Sequence, residues 1–172
     1  MSRVRAAALL AVAAVALSAC GSAAEPTPTP TAAFASEEEA FAAAEETYRA
    51  YIAAYNEVDY RDPNTFTALD EFTDGEYAAN DREGLSQMHA EGNVRDGETE
   101  VVWFEGLRTE QDIIEARACN DVSQVIIVDS SGASIVSPER PPRSAVNLVF
   151  SISPSSEVFL IESQGVEDAE CS

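Results

Sequence analysis

Lysine is absent from this sequence, and its ten basic residues, all arginine, face 31 aspartates and glutamates. The missing lysine points to GC-rich coding more than to any function. No cluster of arginines interrupts the acidic balance, so the chain should repel nucleic acid and anionic headgroups. Nucleic-acid binding is therefore excluded. A single histidine, His89, means that any Ser–His or Cys–His nucleophile system has to use it. There is no Gly-x-Ser-x-Gly, His-Glu-x-x-His, Gly-x-Gly-x-x-Gly or P-loop. The Asp-x-Asp-x-Asp-Gly spacing of a dedicated calcium loop is also missing. No cofactor or metal is expected. The N-terminal apolar run, Ala6 to Leu17, has 12 residues. As a helix it would span about 18 Å, short of the roughly 30 Å hydrocarbon core.

That run follows Arg3 and Arg5 and precedes Ser18-Ala19-Cys20-Gly21. A basic start, a short apolar stretch and a small-residue cleavage site are the parts of a secretory signal. Leu17-Ser18-Ala19-Cys20 resembles the bacterial lipobox. The resemblance implies cleavage before Cys20, a diacylglyceryl thioether on its sulfur and a palmitate-type acyl group as a further option on its amine. Several acyl chains on one residue give stable anchoring. The expected location is the outer face of the cell membrane. Loss of residues 1–19 leaves 153 residues, with eight arginines against 31 acids and a formal charge of −23.

With Cys20 assigned to lipid, Cys119 and Cys171 remain. In an exported protein the simplest reading is a disulfide, closing a loop of about fifty residues worth roughly 4 kcal/mol in the chain-entropy model. A metal pair or a reactive thiol is the rival reading.

Three segments follow: a signal peptide over 1–19, a lipidated cysteine with a Pro/Thr-rich linker over 20–35, and a domain over 36–172. In residues 21–33, alternating Pro-Thr favours polyproline II with a reach of about 40 Å. Ser36-Glu37-Glu38-Glu39 is a capping box that opens a helix ending near Asn56 or Val58. Asp62-Pro63 starts a short helix, Asn64 to Phe72, and a third runs from Gly75 to Glu91 with Gly92 as its cap. Strands are expected over Glu98–Leu107, Gln111–Cys119, Val122–Asp129, Ser144–Ser153 and Glu157–Gln164, the last two as a hairpin around Pro154-Ser155-Ser156. Three helices followed by antiparallel strands define an α+β domain, and about 130 residues support one core.

This order of elements resembles the nuclear transport factor 2-like (SnoaL-like) fold, a curved antiparallel sheet wrapped into a cone around a long first helix. The chain is similar in particular to actinobacterial lipoproteins carrying that domain. The matching residues are the run Tyr51 to Pro63, Ala118-Cys119-Asn120-Asp121-Val122-Ser123, the turn ending at Gly132, Pro138 to Pro141, and Cys171. Ser153-Pro154-Ser155-Ser156 and Phe159 depart from the pattern, which has Asp-Gly and a tryptophan there. The resemblance implies a pocket between the sheet and the first helix, lined by Tyr48, Tyr51, Tyr55, Trp103 and Phe104. The alternative is that these aromatics simply fill the core. Related folds often dimerise through the sheet, which leaves a homodimer open.

Some members of the fold are isomerases or cyclases with an acid base deep in the cone. Asp121 is the least ordinary carboxylate here because it interrupts an apolar strand region, though Asn120-Asp121 also reads as a bulge or capping turn. His89 reads as a surface or helix-end residue. The preferred function is a non-enzymatic, lipid-anchored accessory protein that binds a protein partner or a small ligand. The alternatives are a ketosteroid-isomerase or polyketide-cyclase-like enzyme and a carrier of a small lipophilic compound. An enzyme needs a buried carboxylate facing a polar donor across a cavity. A carrier needs the cavity alone, and an interaction module needs neither.

Overall fold

The computed structural model describes residues 33–166 and 171. The expected signal peptide, Cys20 and most of the linker lie outside the described residues. Among those described, no helix is long and apolar enough to cross a membrane.

Helix α1 spans Glu37–Asn56. The Ser36 hydroxyl accepts the Glu39 N–H at 3.2 Å, and the Glu39 carboxylate reaches back to the Ala35 N–H at 2.8 Å. One unpaired donor of the first turn and one just ahead of the cap are thereby satisfied, and three glutamates sit at the positive end of the helix dipole. Ala40, Ala44, Tyr48 and Tyr51 recur at helical spacing and are buried. Asp62 caps a 3-10 helix over Pro63–Glu71, where an ordinary short helix was expected. Helix α2 covers Gly75–Ala90. It ends where Gly92, at φ +73°, lets the Asn93 N–H reach the Met88 carbonyl at 3.0 Å.

Strands β1 (Val94–Asp96), β2 (Glu100–Glu110), β3 (Ile113–Asp121), β4 (Ile126–Val128), β5 (Arg143–Ile152) and β6 (Val158–Gly165) follow. All pairings between them are antiparallel. The main sheet has the order β2-β3-β5-β6, and β1 pairs with β4 as a separate ribbon. The domain is thus α+β.

Two expectations are corrected. The first hairpin turns at Gln111-Asp112, with Gln111 at φ +56°, so β2 runs three residues past Leu107. No glycine marks this turn. The β-branched run Val122–Asp129 is mostly not strand. The Arg140 guanidinium donates to the carbonyls of Val122 and Val125 at 2.8 and 2.7 Å, and the Val125 N–H closes a turn onto Val122 at 3.0 Å. A distant arginine therefore overrides local β propensity there.

The core lies between α1 and one face of the sheet, where Ile114, Ala116, Ala118, Leu148, Phe150 and Leu160 are each at most 1 % exposed. Gly106 permits the close approach of β2 to α1, since a Cβ there would strike the Phe41 ring. Cys119 and Cys171 are disulfide-bonded, with their Cα atoms 5.6 Å apart.

Candidate functional site

All five tyrosines of the chain gather on the helix side of the sheet. Tyr48, Tyr51 and Tyr55 project from α1 at spacings of three and four, which stacks them along one face. Their ring centroids are 6.4 Å apart for Tyr48 and Tyr51, and 6.0 Å for Tyr51 and Tyr55. Phe104 lies 6.3 Å from Tyr48 and 6.3 Å from Phe150, so it joins the row to the sheet.

Each α1 hydroxyl meets a polar partner from another segment. The Asn120 amide donates to the Tyr48 hydroxyl at 2.7 Å, inside the core. Asn120 Oδ1 remains a spare buried acceptor at this deep end of the row. The Tyr51 hydroxyl donates to Asp81 Oδ2 at 3.0 Å and lies 3.1 Å from the Tyr77 hydroxyl. The Tyr55 and Tyr60 hydroxyls are 3.3 Å apart, and the Arg95 guanidinium stands 5.4 Å from the Tyr55 ring centroid. Arg95 is itself held by the Asn56 side chain at 3.0 Å.

Burial sets the protonation states. Desolvation pushes the Tyr48 phenol up to about 12, partly offset by the Asn120 hydrogen bond. Desolvation likewise raises Tyr51, Tyr55 and Tyr77. The same cause lifts the Asp81 carboxyl above its usual range, against the pull of the Tyr51 hydrogen bond. The site is thus a row of neutral phenols with one partly desolvated carboxyl, Asp81, at its middle member Tyr51. Chemically it can donate hydrogen bonds and hold a proton.

Of the five residues expected to line a pocket, the structure brings together Tyr48, Tyr51, Tyr55 and Phe104. Trp103 is corrected: it pairs in register with Cys119 and faces away from the core cluster. A β-bulge at Val102 causes this, because the extra residue shifts the alternation and sends Phe104, not Trp103, to the side of Val101. Asp121 also stands apart. It accepts the Ser123 N–H at 3.0 Å and pairs with Arg143 at 3.1 Å, and these contacts hold its carboxyl at about 2. It is a capping acid at a strand end. His89 is exposed, with Nδ1 2.7 Å from the Tyr60 carbonyl. Tyr60, Asp81 and Asn120 were missed as site residues, since nothing in their local spacing ties them to α1. Tyr77 was legible only as an apolar position of its helix. No cluster of metal-ligating side chains occurs among the described residues.

No family model matches the chain, and no curated protein matches it in sequence. Solved structures resemble it in fold. The intermembrane-space region of the chloroplast protein ARC6 gives a TM-score of 0.51 at 14% identity, covering 73% of this chain and 95% of that one. A protein assigned as an aromatic ring hydroxylase from Novosphingobium aromaticivorans gives 0.45 at 15% identity, covering 74% and 93%. VirB8 of Agrobacterium tumefaciens gives 0.42 at 11% identity, covering 79% and 96%. Identities this low concern the fold alone.

Proposed function

We propose that this chain is a lipid-anchored extracytoplasmic lipoprotein whose nuclear transport factor 2-like domain is a non-enzymatic accessory module that binds a protein partner. The observation that carries the reading is the filled row on α1. Five tyrosines and Phe104 occupy the region where the fold would hold a pocket, and the tyrosine hydroxyls engage one another, Asn120 and Asp81. A side-chain-filled core leaves the outer surface for recognition. The anchor rests on Cys20 in its lipobox-like setting. Replacing Cys20 with alanine should release the protein from the membrane fraction or leave it unprocessed, and unchanged anchoring of a cleaved product would sink that part. In vivo cross-linking at the cell surface should then trap a protein partner. Native mass spectrometry showing instead a reproducible small-molecule adduct would favour the carrier.

The isomerase- or cyclase-like reading has one observation in its favour, the raised Asp81 carboxyl against two phenols. That reading requires Asp81→Asn to abolish turnover while leaving the fold intact.

A further inference from the structure

Between α1 and the start of β6 lies an open groove of about 340 Å³. It exists because the helix is thin there. Ala43, Thr47 and Ala50 recur at i, i+4 and i+7, and these short side chains leave open space beside Phe72, Val158 and Phe159, bridged only where Thr47 meets Val158. The Thr47 hydroxyl is spent on the Val158 carbonyl at 3.3 Å. The strand edge forming the far wall is paired as well: the Leu160 N–H donates to Phe72 at 2.8 Å, and its carbonyl accepts the Asp74 N–H at 3.2 Å. An occupant is therefore held by side-chain contact and not by adding a strand.

The charge around this trough is one-signed. Glu46, Glu71 and Glu157 line it with no basic side chain beside them. Among the described residues none of the three forms an ion pair, and the eight arginines of the domain are engaged elsewhere. Arg49, Arg61, Arg82, Arg108 and Arg143 pair with Glu45, Asp59, Asp70, Glu115 and Asp121. Arg95 holds Asn56, Arg117 holds Asn147, and Arg140 holds backbone carbonyls. The chain has no lysine to supply instead. The Glu157 carboxylate accepts the Ser155 hydroxyl at 2.6 Å but, like Glu46 and Glu71, has no cationic partner, and an apolar trough ringed by such carboxylates complements an apolar stem with a cationic tip.

We propose that this groove receives a short segment of a partner protein presenting an arginine or lysine beside an apolar residue. The inference rests on the partner-binding reading above and names the surface that does the binding. A presented side chain suits the site better than a free amine, because free ligands are held in pockets that enclose most of their surface, whereas this groove lies open.

The test titrates the purified full chain, in nonionic detergent, with the capped peptide Ala-Leu-Arg-Leu-Ala and follows amide NMR shifts. Shifts should centre on Ala43, Thr47, Phe72 and Val158. Citrulline in place of arginine should weaken binding at least tenfold, and so should the combined Glu46→Gln, Glu71→Gln and Glu157→Gln variant. Ala50→Leu should block the groove with the fold unchanged by circular dichroism. Equal affinity for the citrulline peptide would overturn the proposal. So would an equal loss from Glu83→Gln, Glu98→Gln and Glu139→Gln, acids outside the groove. Octylammonium binding there more tightly than the peptide would replace the protein occupant with a small amphiphile. Failed peptide binding with surface cross-linking intact overturns the groove alone. Peptide binding without any cross-linked partner overturns the partner reading and the protein occupant with it.

Discussion

The two faces of the four-stranded sheet are built from the same strands and stabilised in different ways. Towards α1, residues 114, 116 and 118 of β3 and 148 and 150 of β5 are apolar and sealed. On the opposite face, three cross-strand pairs in register are polar: Arg108 with Glu115, Arg117 with Asn147, and Asp121 with Arg143. The buried exceptions there are Cys119 and Ala145, which are paired in register where the disulfide to Cys171 crosses. One face is held by area removed from water, the other by a covalent strap and surface charge pairs. Burial on a sheet face thus reflects what covers it as much as which residues it carries.

Four experiments would break or sharpen this contrast. Phe150→Ala, on the sealed face, should cost about 3–5 kcal/mol in urea unfolding, and a loss near 1 kcal/mol would mean that face is loosely packed. Removing the strap with Cys119→Ala and Cys171→Ala should cost somewhat less, roughly 2–4 kcal/mol, for the 52-residue separation. Non-reducing peptide mapping should show the linked pair, and free thiols at both positions would end that account.

The third experiment uses pH, because the two faces carry carboxyls shifted in opposite directions. Asp81 is raised by burial, so the folded state binds its proton more tightly. Its contribution is fully present below the unfolded value of about 3.9 and is lost as pH rises through the folded value. Asp121, at about 2, contributes above the unfolded value and loses that contribution as pH falls through about 2. Stability curves from pH 2 to 7 should therefore change in opposite senses. Asp81→Asn should raise the neutral-pH arm relative to the acid arm, and Asp121→Asn should flatten the acid arm. Parallel curves for both variants would remove the distinction. The smallest effect expected is from His89→Ala, about 1 kcal/mol or less for one hydrogen bond to the Tyr60 carbonyl. A much larger loss would move that end of α2 into the core.

The elements most legible beforehand were those with their own chemical punctuation. Ser36 with Glu39, Asp62-Pro63 and Gly92 each act within a few residues, and each marks a helix boundary seen in the structure. The run Val122–Val125 misled because its conformation is dictated by Arg140, fifteen or more residues away. Trp103 misled because the bulge at Val102 leaves no mark in an apolar stretch. Three tyrosines at helical spacing announced a shared face, but their partners come from three other segments: Tyr60 from the loop after α1, Tyr77 and Asp81 from α2, and Asn120 from β3.

Helix starts, the acidic surface and the row of tyrosines on one side of α1 follow from near-neighbour spacing and composition, which act before the chain is compact. Strand pairing, the side to which Trp103 turns, the partner of each buried hydroxyl and the groove beside β6 arose only on packing. They depend on contacts between residues far apart in the chain, such as the bond from Thr47 to Val158 across 111 positions, and local periodicity carries no information about contacts at that range.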